Sequence, residues 1–134
     1  MDKIFAAPPL TVGVVPHNLT AQSVWCGTDL IVVIGGGTRP HIGATAQAVP
    51  RPSLQQDGTV SASVSVLCCL GHKDDLPARE IALQLASCLN TTVTVTVGIH
   101  LDAASPQDLA IVQKNFRELQ EQLLQKLAKP SMGA

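Results

Sequence analysis

Aromatic residues are nearly missing from this chain of 134 residues: Trp25, Phe5 and Phe116 are the whole set, and tyrosine is absent. A surface built to stack nucleic-acid bases needs more rings than that. Charge is scarce as well, with 14% Asp, Glu, Lys and Arg and a net charge of −1. The nine Lys and Arg are scattered, so no basic stripe tracks a phosphate backbone, and nucleic acid is excluded as a partner. The four cysteines, Cys26, Cys68, Cys69 and Cys88, show no CxxC spacing. Cys68 and Cys69 are neighbours in a strand-like stretch, where adjacent side chains point to opposite faces, so they do not share one metal. They read as reduced, mostly buried thiols. The N-terminal MDKIFAAPPL has no apolar core of signal-peptide length, and no run approaches a membrane span. The cytoplasm is the expected compartment, with no membrane partner.

What is present is apolar: 46% hydrophobic residues, enough for one self-sufficient core in a single domain spanning 1–134. An under-charged surface on such a chain implies cover by another copy or a partner, so a homo-oligomer is expected. Alternating patterns predict six strands, at 10–15, 19–26, 29–35, 43–49, 59–70 and 91–100. The third, DLIVVIG, is apolar throughout from Leu30 to Ile34 and reads as a central strand covered on both faces. The fifth sets Val60, Ala62, Val64, Val66, Cys68 and Leu70 on one side, with serines filling most of the other. The sixth sets Val93, Val95, Val97 and Ile99 against threonines. Such uncharged Ser/Thr faces suit a sheet surface covered by a helix or a second subunit. The segment 50–58 carries turn chemistry, with two prolines and an Asp-Gly pair.

Two helices follow from 3.6-residue spacing. In 75–89, Ala78, Ile81, Ala82, Leu85, Ala86 and Leu89 form one stripe. Asp74 or Asp75 can cap its start and Asn90 suits its left-handed end. In 106–128, Ser105 and Asp108 form a capping box around Pro106, and Leu109, Val112, Phe116, Leu119, Leu123 and Leu127 repeat at 3-4 spacing. At 1.5 Å per residue this helix is roughly 35 Å long, so its last turns are expected to overhang the sheet and meet a partner helix. Strands first, then strand, helix, strand, helix, defines an α+β fold with a largely antiparallel sheet of about six strands and two helices packed on it.

The chemistry concentrates at the strand ends. IGGGTRPHIGAT, residues 34 to 45, follows the central strand. Gly35, Gly36, Gly37 and Gly43 let a ligand approach the main chain, and successive N–H groups there can form an anion nest. Arg39 adds a forked, permanent cation. The stretch lacks the lysine and helix start of a P-loop, and a wide turn between strands is the competing reading. His41 in this loop, His72 in LGHKDD and His100 ending GIH each lie near a glycine at a junction. If the three junctions share one edge of the sheet, they converge with Arg39, Lys73 and Asp74 on one polar pocket. Histidine serves as acid, base, ligand or phosphate donor, so the cluster does not choose a chemistry. No HExxH-like spacing supports a metal, no nucleophile–base pair is recognisable, and Asp74 has a plain use as a helix cap. No catalytic and no metal-binding residue is assigned.

Together, DLIVVIGGGTRPHIGAT, LGHKDDLPAREIALQLASCL and TVTVTVGIHLDAASPQDLAIV resemble the LpdD-like prenylated flavin chaperone family, over about Asp29 to Val112. The most specific parts are Gly36 to Gly43, His72 to Asp74 and Gly98 to His100. The resemblance implies a proteasome-assembly-chaperone-like fold, a dimeric or larger assembly, and a non-catalytic accessory protein. Such a protein binds prenylated FMN or FMN transiently, or hands it from the flavin prenyltransferase to the large subunit of an aromatic-acid decarboxylase. It also implies cofactor-binding roles for Gly35, Gly36, Gly37, Arg39, His41, Gly43, His72, Lys73 and His100. Trp25 is then almost the only ring available to stack on an isoalloxazine, so the phosphate end is better defined than the ring end. Two other readings stand beside it: a structural or assembly subunit of a decarboxylase without its own ligand, and a small enzyme using the His/Lys/Asp cluster on aromatic acids.

Overall fold

The computed structural model describes residues 3–55, 57–69 and 74–128. Among these, β1 (Ile4–Ala6), β2 (Leu10–Val12), β3 (Leu19–Cys26), β4 (Asp29–Gly37), β5 (Ala44–Pro52), β6 (Val60–Cys68) and β7 (Val93–His100) form one seven-stranded sheet. Two helices accompany it, α1 (Asp75–Leu89) and α2 (Pro106–Ala128). The expected α+β class with two helices holds, and both helices begin and end where the spacing placed them. Asn90 ends α1 in the left-handed conformation at φ 52°. The expected capping box also forms: the Ser105 amide donates to Asp108 Oδ2 at 2.9 Å, and the Asp108 amide donates to Ser105 Oγ at 3.0 Å.

The sheet is mixed where a largely antiparallel one was expected. Its order is β1-β3-β4-β7-β5-β6, and β4 pairs with β7 in parallel. The cause is the connection through α1. A helix between two strands of one sheet returns the chain in the same direction, so β6 and β7 run parallel with antiparallel β5 between them. The extra strand is short. β1 and β2 pair successive stretches of β3, and Pro8 and Pro9 interrupt what is in effect one edge strand, as proline does by removing ladder donors.

Both helices lie on the same side. Leu19, Ala21, Leu30, Val32, Ile34, Ala46, Val93, Val95 and Val97 point toward them and are buried. The expectation that β4 is covered on both faces therefore fails within one chain: Ile31 and Val33 stand 41% and 45% exposed at the middle of the other face. The overhanging end of α2 is also corrected. Leu119 and Leu123 are fully buried, and the exposed leucine is Leu109, near the helix start. β2 and β3, both among the expected strands, lie beneath this helix and give its leucines a floor. All four thiols are exposed rather than buried. Cys68 ends the edge strand β6 and Cys88 lies on the exposed side of α1. No described helix is long and apolar enough to cross a membrane.

The start of α2 is latched to the β2–β3 turn. Asn115 Nδ2 donates to the His17 carbonyl at 2.8 Å, and His17 Nε2 lies 2.9 Å from Asp108 Oδ1. The bond with His17, followed by those from the Ser105 amide and hydroxyl, holds the Asp108 carboxyl down at about 2, from an ordinary 3.8. A carboxyl depressed on folding stabilises the folded chain above its unfolded value, and that contribution disappears as pH falls from about 3.8 toward 2. Asp108→Asn is expected to lower the thermal midpoint at pH 6, with the gap from the parent shrinking between pH 4 and pH 2. A gap that stays constant over that range would assign the effect to something other than the carboxylate.

Candidate functional site

Strand direction decides where the site lies. β4, β6 and β7 are mutually parallel, so their C-terminal ends share one end of the sheet. The loop after β4, Asp74 ahead of α1 and His100 at the end of β7 therefore meet at a single rim. Parallel strand ends of this kind are habitual ligand sites in open sheets.

The glycine stretch acquires its meaning here. β7 sits between β4 and β5 in the sheet, so the chain leaving β4 must pass over β7 to enter β5. Residues 38–43 are that bridge. Gly98, on β7 beneath it, has no side chain because a Cβ would stand 1.5 Å from the His41 carbonyl oxygen. At Gly35 a Cβ would lie 2.8 Å from Pro40 Cβ, and at Gly43 it would meet Asp74 Oδ2 at 2.0 Å. Gly36 likewise presses against the Asn18 carbonyl, and Gly37 takes φ +72° where the chain leaves the strand.

The expected anion nest takes a different form. Gly35, Gly36 and Gly37 are strand residues paired with β3 and β7. The Gly37 amide donates to Asn18 O at 3.0 Å, that of Thr38 to His100 O at 2.8 Å, and that of Gly43 to Val97 O at 2.9 Å. These amides serve the bridge and not a ligand, because a donor used in the sheet ladder is not offered outward. What the bridge presents instead is side chains. Arg39 is exposed at its tip. His41 meets His100 edge-on, ring centroids 6.3 Å apart. His41 Nε2 lies 3.9 Å from Asp74 Oδ2, and His100 Nε2 lies 2.7 Å from Asp102 Oδ1.

Two of the three histidine corners thus come together. His72 and Lys73 lie outside the described residues, but Asp74, the next residue along, is in the cluster. Its side chain makes no capping bond to α1, so the plain use anticipated for it is set aside. Asp102 escaped the sequence reading; its only signal was an acidic residue two positions after a strand-ending histidine. Among the described residues, no group of three or more His, Cys, Asp or Glu is placed to hold a metal. Trp25 pairs with Leu30 at the opposite end of β4 and stacks on Phe5 with centroids 6.5 Å apart. Seven strand residues, or about 23 Å, separate that register from Gly37, farther than one mononucleotide spans. Trp25 is therefore not the ring partner of this rim.

Comparison with solved structures places the fold among assembly chaperones. The chain aligns with one from the crystal structure of a novel chaperone complex for yeast 20S proteasome assembly, at a TM-score of 0.52 and 18% identity, covering 90% of this chain and 98% of that one. At that identity the likeness shows the fold alone. The family model for the prenylated flavin chaperone LpdD-like domain matches residues 13–128, and the chain belongs to that family. Protein LpdD of Lactiplantibacillus plantarum is 30% identical over 106 residues, with 73% of this chain and 68% of that protein covered. The chain is accordingly a chaperone-family protein and non-catalytic.

The bridge geometry makes a sharp demand on Gly98. Gly98→Ala is expected to cost about 1–3 kcal/mol in urea denaturation, as overpacking does, and to shift the His41 and His100 ring resonances together. Unchanged histidine spectra would show that the bridge does not rest on β7.

Proposed function

We propose that this chaperone binds prenylated flavin mononucleotide at the rim of β4, β6 and β7 and passes it to an aromatic-acid decarboxylase in the cytoplasm, receiving it from a flavin prenyltransferase. The observation that carries the reading is the meeting of His41 and His100 at the end of the parallel strand pair, with Arg39 beside them. The cofactor's phosphate is a dianion, and a forked guanidinium with imidazole N–H groups suits it. His72 and Lys73, which precede Asp74 in the chain, are proposed as further donors to the phosphate. Gly35, Gly36, Gly37 and Gly43 contribute by letting the bridge lie close to the sheet. Family membership supports the flavin as the ligand.

Each hydrogen bond to a charged group is worth roughly 1.5–3 kcal/mol. Two or three of them give micromolar binding or weaker, which lets a carrier release its load. In titration calorimetry, Arg39→Ala is expected to weaken flavin mononucleotide binding at least tenfold and leave riboflavin, which has no phosphate, unchanged. An unaltered mononucleotide affinity would remove Arg39 from the phosphate site.

The assembly we infer is a homo-oligomer built on the sheet face opposite the helices. That face is made of threonines, serines, glutamines and exposed Ile31 and Val33, and its described strand residues carry charge only at Asp29 and Arg51. Cross-strand bonds such as Thr45 to Thr96, at 3.2 Å, satisfy hydroxyls internally, leaving a surface of few charges that a second copy matches. Val33→Lys is expected to halve the mass measured by light scattering or reduce it further. A parent protein that runs as a monomer would refute this face as an interface.

A further inference from the structure

The rim leaves the flavin's ring without a place, and Trp25 is at the wrong end of the sheet. We propose that the groove between α1 and α2 receives the isoalloxazine and the added isoprenoid ring, which deepens the reading above and rests on it. The groove has a volume of about 760 Å³, within the range of small-molecule sites. It opens directly from the rim, since Asp74 and His100 line both.

Its walls have the right chemistry in the right order. Phe116, Ile99, Leu76 and Leu109 supply the apolar side. Leu76 and Leu109 are 61% and 53% exposed, large side chains for which the fold of the single chain has no use. Farther along, Gln113, Arg117 and Gln120 of α2 face the same cavity. A flavin ring has an apolar dimethylbenzene edge and a pyrimidine edge rich in donors and acceptors. Glutamine amides offer both kinds of partner, and Arg117 is a planar donor that also stacks. Phe116 puts a phenyl ring on the walls, and an isoalloxazine lying against it gains the usual preference of paired π systems. Continuity with the phosphate rim is what selects a flavin over a purely apolar occupant: a ligand filling both must be anionic at one end and flat, amphipathic and bulky at the other.

The test uses the full chain and three variants, Phe116→Ala, Leu109→Glu and Arg39→Ala, titrated with FMN and with riboflavin and followed by flavin fluorescence. Circular dichroism and thermal midpoints accompany each titration. Leu109 is half exposed, so Leu109→Glu keeps the fold even if Phe116→Ala does not. The groove predicts that Leu109→Glu and Phe116→Ala weaken both ligands at least fivefold, whereas Arg39→Ala weakens FMN alone. Should a folded Leu109→Glu protein bind FMN as the parent does, the ring lies elsewhere and the groove assignment is overturned while the flavin reading survives. Loss of decarboxylase co-purification in that variant with flavin affinity unchanged would overturn it too, making the groove a protein-docking surface. If the parent binds neither FMN nor prenylated FMN, the flavin reading itself falls and takes the groove with it.

Discussion

Everything at the rim depends on one topological fact: β7, made late in the chain, inserts between β4 and β5, made early and consecutively. A connection that would otherwise be an ordinary hairpin turn must instead step over a strand end. Main chain crossing main chain at van der Waals distance leaves no room for side chains below, so Gly98 and Gly35 follow as steric necessities. The same crossing places the His41 carbonyl over Gly98 and its ring against His100. A proline at position 40 stiffens the bridge at its middle. Packing and chemistry are thus one event here: the contact that completes the sheet also brings two distant histidines together.

The second consequence of the topology is asymmetry. The crossover through α1 and the long return along α2 put both helices on one face. Helix cover lets β4, β5 and β7 bury runs of valine and alanine on that side, and the small side chains of Ala44, Ala46 and Ala48 let α1 approach β5 closely. The other face pairs its own hydroxyls and keeps aliphatic side chains at its centre. A single chain therefore covers its apolar surface only on one side, which is the physical basis for expecting a second copy.

How much of this was legible in the sequence differs by feature. Both helices were, because amphipathic spacing, the Ser105–Asp108 box and Asn90 are local signals acting over a few residues. The existence of a glycine-dependent approach at 35–43 was visible too, whereas the convergence of histidine-bearing corners was a condition the sequence could pose and not decide. What approached the glycines was not: a Gly-rich run looks the same whether it wraps a phosphate or another strand, and strand order is settled by long-range pairing that leaves no local mark. The misplacement of Trp25 has the same origin. The apolar run from Leu30 to Ile34 was read as covered twice because a strand that buries one face and carries exposed aliphatic side chains on the other has the pattern of a strand buried on both. The exposed thiols were missed because alternation shows which face a residue is on, and says nothing of whether an edge strand's end is roofed.

A carrier must hold its cargo firmly enough to remove it from solution and loosely enough to give it away. In the proposed role the two demands fall on different parts of the structure. The rim is assembled from three segments far apart in sequence, so its geometry is set by the sheet core and needs no ordering when a ligand arrives. Arg39 and Asp102, by contrast, stand at the surface, where water weakens ion pairs, while His41 and Asp74 are more enclosed. A preorganised frame raises affinity, exposure caps it, and the cap also leaves the ligand within reach of another protein. A catalytic site would seal its charges from water to strengthen them at the moment of reaction. With Arg39 at the tip of an exposed bridge and Asp102 beyond it in solvent, part of this rim stays open to water, as the proposed carrier role requires.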